Sequence, residues 1–137
     1  MIARLKKRSE FLRVARTQRK SVTPGLILQV RHHSSQDIID PVQQPIRIGF
    51  TVSRKVGGAV QRNRAKRRLR AIVEDLFPRH ALPGYDYVII GRRGTLTRPF
   101  KALENDLRKA LKQLDVYQKA PVSKSLGVKN SSRIQQR

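Results

Sequence analysis

Ile46-Arg47-Ile48-Gly49-Phe50-Thr51-Val52-Ser53 is the stretch on which the fold turns, and a segment from about Val60 to Phe77 follows it across Gly57-Gly58. Ile46, Ile48, Phe50 and Val52 alternate with Arg47, Gly49, Thr51 and Ser53. That is the period of a strand with one face in the core and the other small and basic. In the following segment Ala65, Leu69, Ile72, Val73 and Leu76 fall on one helical stripe, and Pro78 marks the expected end. Beyond Pro83-Gly84, the run Tyr87-Val88-Ile89-Ile90 is apolar throughout, as expected of a strand covered on both sides or central in a sheet. Strand, long helix and strand in succession suggest a βαβ crossover, for which right-handedness is the generic expectation.

Toward the N-terminus, Ser9 and Glu10 open a short amphipathic helix carrying Phe11, Leu12, Val14 and Ala15, and Pro24-Gly25 separates it from an alternating strand over Leu26 to Arg31. Residues 34–45 form a polar, proline-bounded loop. Toward the C-terminus, Thr97 and Pro99 start a final helix striped with Phe100, Leu103, Leu107, Ala110, Leu111 and Leu114. The resulting order is helix, strand, strand, helix, strand, helix, an α+β arrangement of helices on a small sheet. From Gln118 onward the chain is rich in Lys and Ser, has no acidic residue and shows no apolar period. Residues 1–117 are thus expected to form one domain and 118–137 a disordered basic tail.

The chain of 137 residues has 31 Lys and Arg against 9 Asp and Glu, a formal net charge of +22. So large an excess repels itself and is best explained by a polyanionic partner, with nucleic acid ahead of a membrane surface. No long apolar span or lipidation signal supports the membrane alternative. A chain of this length can bury roughly two-thirds of its unfolded surface without staples. Cysteine is absent, which excludes a disulfide framework and a thiolate nucleophile or ligand. Met1 to Arg8 lacks the apolar stretch of a secretory signal, so the expected compartment is the cytoplasm.

Arg62-Asn63-Arg64-Ala65-Lys66-Arg67-Arg68-Leu69-Arg70 carries the strongest chemical signal. With Ala65, Leu69, Ile72 and Leu76 on the buried side, the cations spread over a broad solvent-facing surface. Cations favour a helix C-terminus and anions its N-terminus, each such placement contributing about 0.3 to 1 kcal/mol. This helix begins with its cations and ends with Glu74 and Asp75. Folding alone would not select that order. Phosphates docked at the first turns would meet both backbone N–H groups and arginine forks.

Ser53-Arg54-Lys55-Val56-Gly57, then Ala59-Val60, then Arg62-Asn63-Arg64 with Lys66-Arg67 and Arg70, resembles the signature of the bacterial ribonuclease P protein component. Supporting matches are Arg4-Leu5-Lys6-Lys7 with Glu10-Phe11, Arg47-Ile48-Gly49 and Asp86-Tyr87-Val88-Ile89-Ile90, so the resemblance spans about residues 2–114. It implies an α+β two-layer sandwich of a small, mostly antiparallel four-stranded sheet with helices, similar to the second domain of ribosomal protein S5. It also implies a left-handed crossover through the arginine-rich helix, against the generic rule, and a short strand near Lys20 to Thr23. In that family a catalytic RNA removes the 5′ leader of precursor tRNA and organises the required Mg²⁺. The protein subunit binds that RNA, holds the leader and lowers the Mg²⁺ requirement. The implied partners are the catalytic RNA and the precursor leader, with no protein partner.

By the same resemblance Arg54, Lys55, Arg62, Asn63, Arg64, Lys66, Arg67 and Arg70 contact the catalytic RNA, although Asn63 equally suits a hydrogen-bonder at the helix start. The leader is expected between the first helix and the open sheet face, on Phe11, Ile27, Gln29, Arg31, Arg47, Thr51 and Ser53. Phe11 reads equally as plain core. Ala15 and Gln29 stand where the family often has aromatics, and stacking is worth about 1–3 kcal/mol per base, so either a less firm grip or one relying more on charge is expected. His32 and His33 look like surface histidines with no carboxylate at ligand spacing, and Asp37 and Asp40 like turn formers. Neither clustered carboxylates nor a paired acid and base is visible, so no catalytic or metal-ligating residue is assigned. A ribosomal or RNA-assembly protein and an autonomous endonuclease are the alternatives, the latter disfavoured by the missing acids.

Overall fold

The alternation at 46–52 and the helical stripe after it form the middle of a mixed sheet and the long helix packed on it. The computed structural model describes residues 2–33 and 46–119. Its elements are β1 (Ile2–Arg4), α1 (Arg8–Arg16), β2 (Lys20–Val22), β3 (Leu26–His32), β4 (Ile46–Thr51), α2 (Ala59–His80), β5 (Tyr85–Gly91), α3 (Arg93–Thr97) and α4 (Phe100–Gln113). The sheet order is β1-β4-β5-β3-β2. β4 lies parallel to both β1 and β5, while β3 runs antiparallel to both β5 and β2.

Two features of the implied fold are corrected. The sheet has five strands with parallel and antiparallel pairings in equal number, where four mostly antiparallel strands were expected. The additional strand is β1, whose three residues are too few to show a period. Nor is the structure a two-layer sandwich, because helices cover both sheet faces. Leu28, Val30, Ile48, Tyr87 and Ile89 point into one core with Leu69, Ile72 and Leu76 of α2 and Leu103, Leu107 and Leu111 of α4. On the opposite face Leu5, Val14 and Val88 form a second, smaller core, flanked by Phe11 and Ile90. Each fully buried large side chain in the main core contributes about 1.5–3 kcal/mol.

α2 does not end before Pro78 but continues to His80. Proline removes one backbone hydrogen bond, to the carbonyl of exposed Glu74, whereas continuing the turn buries both Phe77 and His80. Phe77 packs edge-on against Tyr87 with ring centres 4.9 Å apart. The Tyr87 hydroxyl donates to the Leu82 carbonyl at 2.7 Å, and burial pushes its ionisation well above the ordinary tyrosine value. The short α3, not foreseen, is anchored by buried Thr95, whose hydroxyl donates to the Gly25 carbonyl and accepts from the Arg92 N–H.

The last described residues are tied down. His80 stacks on Tyr117 with ring centres 4.8 Å apart, the Gln118 N–H donates to the His80 carbonyl at 2.7 Å, and the Gln118 side-chain amide donates to the Ala81 carbonyl at 3.0 Å. Gln118 is therefore bound to the folded body. The remainder of the expected basic tail, 120–137, and the expected loop at 34–45 lie outside the described residues.

Truncation after Lys119 is expected to leave the melting temperature unchanged, whereas truncation after Val116 removes the stack and the three Gln118 hydrogen bonds, among them His80 Nδ1 to the Gln118 carbonyl at 2.9 Å, and lowers stability by about 1–3 kcal/mol. Paired urea melts test this; equal stabilities would remove the clasp from the fold. A second expectation concerns Gly49, where an added Cβ would overlap the Phe11 ring. Gly49→Ala should cost about 1–3 kcal/mol through overpacking and raise amide exchange across α1. An unchanged melt with unchanged exchange would refute it.

Candidate nucleic-acid interface

The basic half of α2 begins at Gly58, which supplies no side-chain cap, and its first turn contains no acidic residue. The N-terminal backbone N–H groups thus lack an anionic side-chain partner and face outward with the cations. Asn63, Arg64, Arg67 and Arg70 are exposed, as are Arg54 and Lys55 in the preceding turn, while Arg62 and Lys66 are half-buried. That turn is closed by the Val56 N–H to the Ser53 carbonyl at 3.1 Å and the Gly57 N–H to the Arg54 carbonyl at 3.2 Å. The eight residues assigned to catalytic RNA thus lie on the strand-to-helix turn and on the first turns of α2, where they spread around the side left open by the buried stripe. Arg68 is different: it turns inward to the Arg98 carbonyl, and Arg98 in turn pairs with Asp106 at 2.7 Å. It braces α2 against the start of α4.

The outer sheet face, under α1, consists of three rows set by strand register. Arg31, Asp86 and Arg47 form the first, Gln29, Val88 and Gly49 the second, and Ile27, Ile90 and Thr51 the third. α1 covers the middle row. Val14 is fully buried there, and the Phe11 ring rests on Gly49, which is small enough to seat it. Phe11 is both packing and surface: half-buried against the second core, it also lines a groove of about 520 Å³ with Lys6, Arg8, Leu12, Thr51 and Lys66. Lys66 carries the basic helix into this groove. A second groove of about 580 Å³ lies beyond the third row, with Ile27 and Ile90 beside Ser53, Lys55, Arg92 and Arg93.

The seven residues assigned to the leader are thus divided. Phe11 and Thr51 meet in the first groove and Ile27 and Ser53 in the second. Gln29 sits half-buried in the middle row beside Val88. Arg31 and Arg47 occupy the far row and are engaged by Asp86, which is 1% exposed. Arg47 donates to both Asp86 oxygens, Nε at 2.7 Å and a terminal nitrogen at 2.8 Å, and Arg31 approaches the same carboxylate at 3.6 Å. The His33 Nε2 lies 2.7 Å from Asp86 Oδ1.

His33 is therefore not a surface histidine with no carboxylate near it; its partner comes from the neighbouring strand. His32 is exposed and packs edge-on against Tyr85. Arg47 also faces Glu10 at 3.6 Å. The Glu10 carboxyl is held below the usual carboxylate range, chiefly by the backbone N–H groups of Lys7 and Lys6, each at 2.8 Å, and further by Arg47 and Arg13.

Sequence reasoning overlooked Lys6, Arg8 and Leu12 on the first groove and Arg92 and Arg93 on the second; the basic pair directly after an apolar strand was the available signal for the last two. Among the described residues no group of three His, Cys, Asp or Glu converges as a metal site, and the buried carboxylate of Asp86 is saturated by cations.

Comparison with known proteins agrees with this geometry. Residues 2–115 match the family model described as ribonuclease P. The chain is 53% identical over 116 residues to the ribonuclease P protein component of Paramagnetospirillum magneticum, covering 85% of each chain, and 50% identical over 113 residues to that of Gluconacetobacter diazotrophicus, covering 82% of this chain and 91% of the other. In fold it is similar to the solved ribonuclease P proteins of Staphylococcus aureus, with a TM-score of 0.66 at 23% identity over 84% of this chain and 97% of that one, and Thermotoga maritima, with a TM-score of 0.62 at 24% identity over 81% and 94%. The chain therefore belongs to the ribonuclease P family, as the RNA-binding protein component of that ribonucleoprotein endoribonuclease.

Proposed function

We propose that the chain docks on the catalytic RNA through the turn at Arg54-Lys55 and the exposed face of α2, and holds the 5′ leader of precursor tRNA against the outer face of its sheet. The observation that carries this reading is the groove in which Phe11, Thr51 and Lys66 meet, because it joins an apolar ring able to support a base to the start of a cationic helix without an acidic partner. Arginine forks on Arg54, Arg62, Arg64, Arg67 and Arg70 suit phosphate oxygens, with Asn63 as a neutral donor and acceptor. Leader contacts run from Phe11 and Thr51 toward Ile27 and Ser53. Arg31 and Arg47 contribute through their place in the sheet, since their guanidinium groups are occupied by Asp86. The same family membership supports a left-handed passage of α2 between β4 and β5, and action in the cytoplasm.

In this reading the chemistry of cleavage belongs to the RNA, whose phosphates organise Mg²⁺. The protein supplies a cationic wedge between two polyanions, replacing part of the screening that divalent ions otherwise provide. The leader adds binding energy that mature tRNA, lacking it, does not regain.

Arg64→Ala and Arg67→Ala are each expected to weaken binding to the catalytic RNA while leaving the melt unchanged, because both side chains are exposed. Each should shallow the slope of log affinity against log salt by roughly one unit or slightly less; an unchanged slope in both variants removes α2 from the interface. Single-turnover cleavage across a Mg²⁺ titration, with RNA alone, protein alone and both together, tests the wider reading. The protein alone should not cut, and the mixture should work at lower Mg²⁺ than RNA alone. Cleavage by RNA-free protein, or identical Mg²⁺ requirements, would sink it.

A further inference from the structure

We infer that Asp86 is a positioning residue for leader recognition: through Arg47 and Glu10 it sets where α1, and with it Phe11, stands over the sheet. The inference rests on the leader reading above and adds to it a residue that touches no RNA. The chain of contacts is continuous. Asp86 holds Arg47 with two hydrogen bonds at 2.7 and 2.8 Å, Arg47 reaches Glu10 Oε2 at 3.6 Å, and Glu10 Oε1 accepts the N–H groups of Lys6 and Lys7, each at 2.8 Å. The first turn of α1 therefore hangs on the residue that directly precedes Phe11.

Apolar packing alone fixes α1 weakly. Its fully buried contact is Val14, with Phe11 half-buried beside it, in a cluster far smaller than the core on the other sheet face. Apolar contact is non-directional, and the other directional tie of this helix to the sheet, the Thr17 hydroxyl donating to the Val30 carbonyl at 2.8 Å, lies at its far end. A bidentate arginine and carboxylate pair has a defined plane and direction. Such a buried pair adds little net stability over an apolar replacement, and the attested gain is in geometry. Here the geometry fixed is the height of the Phe11 ring over Gly49 and the opening of the groove toward Thr51 and Lys66. Arg31 and His33, both strongly buried, hold the other side of the carboxylate and keep Asp86 from following Arg47.

The test uses the full chain reconstituted with the catalytic RNA, and two precursors that differ only in carrying a long or a single-nucleotide leader. Glu10→Gln removes the attraction to Arg47 while leaving a side-chain oxygen for the Lys6 and Lys7 N–H groups. It should raise KM for the long-leader precursor roughly two- to ten-fold, leaving kcat, affinity for the catalytic RNA and KM for the short-leader precursor unchanged. Asp86→Asn should act in the same direction and more strongly; if it fails to fold, Glu10→Gln decides alone. In a Phe11→Ala background the Glu10→Gln penalty should largely vanish, because both act through one ring. Equal penalties on both precursors, or additive penalties in the double variant, would overturn the inference. If Phe11→Ala alone leaves long-leader KM unchanged, the leader reading fails and takes this inference with it; if Phe11→Ala is harmful and the effects add, only the inference fails.

Discussion

The parallel register of β4 and β5 decides where everything else goes. Arg47 opposite Asp86, Gly49 opposite Val88 and Thr51 opposite Ile90 place an ionic row, a seat for α1 and an open row along one face. The intervening residues Ile48, Phe50, Tyr87 and Ile89 face the main core. Because side chains alternate with period two, a slip of one residue in either strand would turn Ile48 or Tyr87 outward and drive Arg47 or Asp86 into the apolar core. Burial of an unpaired carboxylate there would cost several kcal/mol. The register is thus enforced from both faces at once, and the groove beside Phe11 inherits its position from it.

The net charge of +22 overstates the surface offered to RNA. Arg31 and Arg47 are committed to Asp86 and Arg98 to Asp106, while Arg68 braces the Arg98 carbonyl. These arginines work as framework, giving the few buried carboxylates the partners that burial demands. Among the described residues, the outward cations include Arg54 and Lys55 in the turn, Arg64, Arg67 and Arg70 on α2, and Arg92 and Arg93 across the second groove, with others along α1 and α4. The division also gives a role to two of the nine acidic residues: Asp86 and Asp106 are buried clamps for guanidinium groups.

Periodicity made β3, β4, α2 and α4 legible, because each is long enough for two or more repeats and has one face buried against a neighbour. β1 and β2, with three residues each, carry no pattern, and β2 was anticipated only through family resemblance. Pro78 misled for a physical reason: local propensity penalises a proline there, but burial of Phe77 and His80 outweighs one lost hydrogen bond. For the candidate site, alternation placed Ile27, Arg31, Arg47 and Thr51 on the outer face as observed. It could not show that Arg47 meets a carboxylate 39 residues away, because that encounter exists only once β4 and β5 are side by side. The direction of a side chain was readable; its occupation was not.

Lys66 shows why the two proposed surfaces belong to one device. It lies on α2 between Arg62 and Arg70, yet it lines the groove headed by Phe11. A helix advances about 5.4 Å per turn and is stiff over a few turns, so cations one turn either side of Lys66 stand at fixed offsets from the groove. On the proposed reading, the RNA segment that binds those cations is held at a set distance from a leader nucleotide resting on Phe11. Leu69, Ile72 and Leu76 lock α2 to the sheet on its inner face, and the seat of Phe11 on Gly49 together with the Glu10–Arg47 contact holds α1 to the same sheet on its outer face. On the proposed reading the sheet is the ruler between leader and catalytic RNA: changes that loosen either helix should act on the alignment of the two RNAs as much as on the strength with which each is bound.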